Sequence, residues 1–302
     1  MLAVFPAAEV HRLVDLGVLR TAIREAHRAH AAGDVPAPDR IDSGRPGEEY
    51  HVKTGQTRAV YAVKANSGFF ANPPERPAIQ GAILAFDTAD GTPRAVVHSA
   101  SITRLRTAAA SCVAIEALRP HAQRFAIIGA GAQAEGHAQA VQHLRPGAEI
   151  RTFGRDAWGP NATAEARDWV RSCPVVITCT PSRAPLLDLE DVAPDALVVA
   201  VGADGPGKQE LSERLVAHSV VVGDVIAQIA DVGEAQHCIA SGTVTREDLL
   251  ELGAVLLGTV PAPDPDALTV YDSTGTGFQD AAAAEALLAV ADRLPGHLCL
   301  DW

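Results

Sequence analysis

Between residues 8 and 32 apolar side chains return at spacings of two to four positions, at Val10, Leu13, Val14, Leu16, Leu19, Ile23 and Ala26. That rhythm predicts one amphipathic helix, which Gly33, Pro36 and Pro38 bring to an end. The pattern then shortens. His51–Lys53, Ala59–Lys64, Ile79–Phe86 and Arg94–His98 read as strands, and Asp90-Gly91 between the last two signals a hairpin. A long alanine-rich helix over Ile102–Leu118 follows, and Pro120 marks its end. This first part is therefore expected to be helix plus a mainly antiparallel sheet.

Beyond it the alternation changes. Phe125–Ile128 is a short run with no polar residue, followed by a helix over Gln133–Leu144 and a strand over Glu149–Phe153. A helix over Thr163–Arg171 leads to strands at Val175–Cys179, Leu197–Val201, Val220–Val222 and Thr269–Tyr271. Uninterrupted apolar strands separated by helices predict a parallel sheet covered on both faces. Too few residues lie between Phe153 and Val175 for a helix, a strand and a second crossover, so the third, outer strand of a complete doubly wound sheet is expected to be missing. After Gln279 a helix rich in Ala and Leu runs to about Leu294 and is expected to pack back on the first part. The fold class is α/β: a Rossmann-type parallel-sheet domain over residues 120–279, plus an α+β domain from residues 1–119 and the C-terminal segment 280–302.

Composition narrows the function. Apolar residues make up 47% of the 302-residue chain, enough for two cores. The net charge of −12, with no basic cluster to reverse it locally, disfavours nucleic acid as a partner. No apolar run approaches the ~20 residues of a membrane span. Glu9, His11, Arg12 and Asp15 interrupt the only stretch that would serve a signal peptide, so a cytoplasmic protein is expected. The five cysteines form no C-x-x-C pair and the histidines no ligand spacing, so neither a disulfide framework nor a metal site is expected. Lysine is scarce, at positions 53, 64 and 208 only.

Phe125-Ala-Ile-Ile-Gly129-Ala-Gly131-Ala132-Gln133-Ala134 is G-x-G-x-x-A placed between strand and helix. The first glycine lets the chain turn, Gly131 lets backbone approach a pyrophosphate, and Ala134 keeps helix and strand close. The helix N-terminus offers free N–H groups to the phosphates. Where NAD sites usually carry an acid for the ribose hydroxyls, this chain has Gly154-Arg155. An arginine there pairs with a 2′-phosphate, which favours NADP(H) over NAD(H). Asp156 pulls the other way, and Arg155 also reads as a solvated loop residue.

Together these runs resemble the ornithine cyclodeaminase/mu-crystallin family. The resemblance rests on Ser101–Ala109, Ile128–Gln133, Thr178-Cys-Thr-Pro-Ser182, Val201–Glu210, Asp272-Ser-Thr-Gly275 and Gln279-Asp280, in family order over nearly the whole chain. It implies a homodimer whose α+β domain, residues 1–119 with 280–302, forms the subunit contact and binds substrate, acting on small amino or imino acids with hydride moving between a nicotinamide and the carbon beside a carboxylate. It implies substrate-binding roles for Arg40, Lys64 and Arg106 and catalytic roles for Asp204 and Lys64. It places Thr107, Gly129, Gly131, Ala132, Gln133, Arg155, Thr180, Val201, Gly202, Ser273 and Gly275 along the cofactor. Phe70 stands where the family usually has Pro, and Ala78 replaces a small hydroxyl residue, so the shape and polarity of the pocket are expected to differ.

Chemistry supports the basic residues independently, because an arginine fork meets a carboxylate bidentately. Other readings of the same residues remain open at this level: an exposed Arg40, a structural ion pair for Arg106, and an Asx turn at Asp204. Lys208 and Glu210 are expected to steady the loop that carries Asp204. Among activities, reduction of a cyclic imino acid such as a pyrroline- or piperideine-2-carboxylate comes first. An ornithine or lysine cyclodeaminase, an alanine- or opine-type dehydrogenase, and a protein that binds cofactor without turnover follow.

Overall fold

The computed structural model describes every residue except Pro46, Pro74, Arg155, Leu294–His297, Asp301 and Trp302. The chain forms two compact units, one of Met1–Arg106 with Thr276–Trp302 and the other of Thr107–Gly275.

The first unit is built on a seven-stranded sheet. Its strands are β1 (Leu2–Phe5), β2 (Asp39–Ser43), β3 (Glu49–Gln56), β4 (Val60–Gly68), β5 (Ile79–Asp87) and β6 (Pro93–His98), with Leu298–Leu300 at one edge. β2 through β6 form an antiparallel meander, and β1 joins β6 in parallel. The hairpin at Asp90-Gly91 is present, with Gly91 at φ +75°. The helix expected over 8–32 is two: α1 (Ala7–Leu13) and α2 (Leu16–Ala31). Asp15 breaks it, because its carboxylate accepts the Val18 N–H and starts the second helix as an N-cap. An unbroken apolar rhythm cannot report a cap, so periodicity overran the break. Helix α3 (Ser99–Leu118) begins three residues earlier than expected, and the division between the units falls inside it.

The last helix of this unit, Gly277–Ala291, is buried along most of its length and packs on α2, β3 and β4. The approach is close: a Cβ on Gly277 would sit 2.0 Å from the Thr54 carbonyl oxygen, and one on Gly55 would sit 2.3 Å from the Phe278 nitrogen. Two facing glycines let the helix start against the backbone of β3, which fixes where Gln279 and Asp280 lie.

The second unit contains the expected parallel sheet. In chain order its strands are β7 (Arg124–Ile128), β8 (Glu149–Phe153), β9 (Val175–Thr178), β10 (Arg183–Leu187), β11 (Leu197–Ala200), β12 (Gln209–Leu211), β13 (Val220–Gly223), β14 (Leu250–Glu251) and β15 (Thr269–Asp272). The main sheet runs β14-β13-β15-β11-β9-β7-β8, all parallel, while β10 and β12 pair separately. β8 is its edge, and among the described residues no strand lies beyond it. α4 (Ala132–Leu144) follows β7, and α5 (Ala164–Arg171), capped by the Thr163 hydroxyl, carries the chain from β8 to β9. The central strands β9, β11 and β15 are buried throughout, as expected of strands covered on both faces. Among the described residues, no helix is long and apolar enough to cross a membrane.

Candidate active site

In the first unit the basic residues form a row. Arg40 on β2 stands directly opposite Lys53 on β3, which stands opposite Lys64 on β4. Directly opposed like charges destabilise a sheet unless something compensates them. Arg106, from α3, completes the group. Lys53, Lys64 and Arg106 are 5%, 3% and 3% exposed.

Asp280 answers part of this charge. Its Oδ2 lies 2.7 Å from Lys64 Nζ, and its Oδ1 accepts from Arg106 Nε at 3.0 Å. Burial pushes the Asp280 carboxyl up, but the charges of Lys64 and Arg106, with Lys53 behind them, outweigh it and hold the group below its ordinary range. Arg106 also donates from Nη1 to Gln279 Oε1 at 3.0 Å. Arginine has no acceptor, so this bond fixes the Gln279 amide and turns its Nε2 towards His27 Nε2, 3.0 Å away. His27 must therefore accept there. Burial pushes its pKa down to about 3, which keeps the ring neutral.

Arg40 differs from its neighbours. Its Nε donates to Asp42 Oδ2 at 2.6 Å, while Nη1 and Nη2 are buried without a hydrogen-bond partner. Orphaned donors on a buried guanidinium are costly unless an anion meets them. Arg106 is thus an ion-paired residue, and Arg40 is not simply exposed.

In the second unit Gly129, Gly131, Ala132, Gln133, Thr180, Val201, Gly202, Ser273 and Gly275 follow the carboxyl ends of β7, β9, β11 and β15, the side where ligands of such sheets bind. Gly129 ends β7 with φ +141°, and a Cβ there would lie 2.7 Å from Cys179 Sγ. Gly131 is the N-cap of α4, and no side chain caps this helix. A Cβ on Gly131 would meet nothing within 4 Å, and Ala130, Gly131 and Ala132 are exposed. An open, uncapped helix N-terminus with free N–H groups suits a pyrophosphate, so the residues present fit a dinucleotide. Beside it, Gly154 ends β8, and the expected role of Arg155 lies outside the described residues.

Three carboxylates that the sequence did not mark as a set hold the remaining loops. Glu210 accepts from Thr178 Oγ1, from Thr180 N and Oγ1, and from Gly202 N, at 2.6–2.8 Å. It thus ties the turn after β9 to the turn after β11. Glu234 accepts from Glu210 N and Leu211 N. Asp224 accepts from Gly275 N at 2.7 Å and Thr274 Oγ1 at 3.0 Å, and Gln228 donates to Gly275 O, so the Ser273–Gly275 turn is held from both sides. Burial pushes the Glu210 and Glu234 carboxyls up and that of Asp272 to about 7. Asp224 and Gln228 lie on a stretch without a motif, so only the fold reveals them. Thr107 is buried on α3, and Val201 follows β11 directly.

Asp204 sits on the loop after β11 with its side chain 39% exposed, and Lys208 Nζ donates to its Oδ1 at 2.7 Å. Lys208 thus pairs with the aspartate of the loop that it was expected to steady. Among the described residues no group of three or more His, Cys, Asp or Glu is placed to hold a metal ion.

The chain as a whole matches known proteins. The iminosuccinate reductase of Paracoccus denitrificans (strain Pd 1222) is 36% identical over 232 residues, covering 70% of this chain and 71% of that protein. The L-lysine cyclodeaminase of Streptomyces rapamycinicus (strain ATCC 29253 / DSM 41530 / NRRL 5491 / AYB-994) is 32% identical over 245 residues, covering 73% and 68%. A solved archaeal alanine dehydrogenase dimer with bound NAD superposes with a TM-score of 0.91 at 25% identity, over 100% of this chain and 99% of that one. The family model described as "Ornithine cyclodeaminase/mu-crystallin family" matches residues 3–294, and the chain belongs to that family.

Proposed function

We propose that the protein is a nicotinamide-dependent reductase of an imino acid, taking a cyclic imine such as a pyrroline- or piperideine-2-carboxylate. The observation that carries this reading is the buried basic row, Arg40, Lys53, Lys64 and Arg106, in which the terminal nitrogens of Arg40 await an anion. Lys64 and Arg106, braced by Asp280, grip the carboxylate of the substrate together with Arg40. Asp204, oriented by Lys208, exchanges a proton with the substrate nitrogen. Gly129, Gly131, Ala132 and Gln133 bind the pyrophosphate of the coenzyme. The turns that carry Thr180, Val201, Gly202, Ser273 and Gly275 hold the rest of the coenzyme, and Thr107 supports it. When bound, the reduced nicotinamide supplies the hydride.

NADP(H) is the favoured coenzyme in this reading, because Gly154 leaves no acid to claim a ribose hydroxyl at the end of β8. The bound NAD of the archaeal alanine dehydrogenase makes NAD(H) the alternative. The protein acts as a homodimer, as that dehydrogenase does. The side of the first sheet opposite the cations carries Ile41, Val52, Ala65, Ala82 and Leu84, and Ile41 is 65% exposed. Tyr50 adds to this apolar surface at 45% exposure.

The test offers purified protein NADPH or NADH with cyclic imino acids and, separately, NAD⁺ with ornithine. Coenzyme oxidation by the imines supports the reading. Ammonia release from ornithine without net coenzyme reduction would make the protein a cyclodeaminase instead.

A further inference from the structure

Arg40 stands on the edge strand of the first sheet, β2, which pairs with β3 alone. A long side chain there has many rotamers open to it, and fixing one costs conformational entropy. The guanidinium is nevertheless held. Asp42, two residues along and on the same face, accepts from its Nε at 2.6 Å, and the Arg40 side chain is 10% exposed. Contact through Nε leaves Nη1 and Nη2 for another group, and both are buried with no hydrogen-bond partner. Those two donors are the end of the fork, which meets a carboxylate bidentately.

Asp42 is less sheltered than the arginine it holds, with its side chain 31% exposed. Its direct cross-strand partner is His51 on β3. His51 Nδ1 lies 2.6 Å from Asp42 Oδ1, and His51 Nε2 lies 3.2 Å from Glu49 Oε2. A neutral imidazole has one N–H and donates to one of these oxygens only, whereas a ring with a proton on each nitrogen donates to both. The arrangement suits a cationic ring set between two acids. Burial pushes the Asp42 carboxyl up, but the hydrogen bonds from Arg40 and His51 bring it below its ordinary value. Each oxygen of Asp42 thus serves a different cation. On the same face stand Lys53, two residues after His51, and Lys64, opposite Lys53 and paired with Asp280.

We propose that His51 is a positioning residue for substrate binding: it pins Asp42, and Asp42 aims the terminal nitrogens of Arg40 at the substrate carboxylate. This rests on the reading above in that Arg40 meets that carboxylate. In this role His51 acts through Asp42 alone and makes no contact with the substrate. Partly exposed ion pairs add little to stability, so the effect belongs to binding and not to folding.

The probe is pyrrole-2-carboxylate, a planar ring acid with no imine bond to reduce, titrated calorimetrically into coenzyme-saturated protein. H51Q and D42A should each weaken its binding about ten-fold, with melting temperature and coenzyme affinity as controls that stay near those of the wild type. The double variant should bind no more weakly than D42A alone, because both changes break one chain of contacts. H51R keeps a cation beside Asp42 and should recover most of the affinity. Full affinity in H51Q, additive losses in the double variant, or an H51R no better than H51Q would overturn the inference, as would a wild type that does not bind the acid. Coenzyme oxidation by imines is measured separately. A wild type that reduces no imine but shows this pattern of binding would lose the reductase reading and keep the inference.

Discussion

Asp280 Oδ2 lies 2.7 Å from Lys64 Nζ, and the same carboxylate accepts from Arg106. One acid on the last helix therefore organises two cations from a strand and from another helix. Removing one partner of a buried ion pair leaves uncompensated charge, at a cost of about 3–5 kcal/mol. D280N should lose stability of that order in urea unfolding.

The same group sets an acid limit. The folded carboxyl is held below its unfolded value of about 4. Its contribution is then fully present above that unfolded value and is lost as pH falls through the folded one. Urea midpoints measured from neutral pH to about pH 3 should fall more steeply for the wild type than for D280N.

Asp272 behaves in the opposite sense. Burial raises its carboxyl to about 7, and Asp224 and Glu210 add to the rise against backbone N–H groups that oppose it. A raised folded value means stability complete below the unfolded value near 4 and lost as pH climbs towards 7. Asn keeps the oxygen that accepts from Ala235 N and removes the titration. The melting temperature of D272N should therefore change less than that of wild type between pH 5 and pH 7.5, roughly the interval where the two states differ in protonation. Parallel curves would show that Asp272 is not protonated in the folded state.

The two glycines of the turn after β7 should separate folding from binding. A side chain at Gly131 meets open space, so G131V should keep its melting temperature without coenzyme. It should weaken coenzyme binding by about ten-fold or more, equivalent to at least ~1.4 kcal/mol. G129A places a Cβ against Cys179 at a φ that L-residues avoid, and should lower the melting temperature itself.

Asp204 should act on turnover alone. In the reductase reading, D204N lowers kcat by roughly 10²–10⁴-fold, the usual range for a lost general acid, with the coenzyme dissociation constant unchanged. Parallel loss of coenzyme binding would place Asp204 in the scaffold.

Much of this was legible in the sequence because it lies in local patterns. The apolar runs at Phe125, Val175 and Leu197 became buried parallel strands, and the glycine spacing at 129–131 became the turn into α4. Lysine scarcity was also informative, since all three lysines are buried: Lys53 and Lys64 in the basic row, and Lys208 on Asp204. What was hidden depends on register. Lys53 joins the row only because β3 pairs with both β2 and β4, and sequence spacing does not report cross-strand partners. Asp15 was hidden inside a continuous rhythm. His27 and Gln279 are 252 positions apart, beyond any local pattern.

The central claim is that hydride reaches the carbon that bears the carboxylate held by the basic row. Coenzyme carrying deuterium at the transferred position tests it directly, with the amino acid product analysed by NMR. The account predicts deuterium on the carbon beside the carboxylate, in a one-to-one ratio with coenzyme oxidised, and loss of this transfer in R40A while coenzyme still binds. Deuterium that stays on the coenzyme, or a product labelled elsewhere, would contradict it.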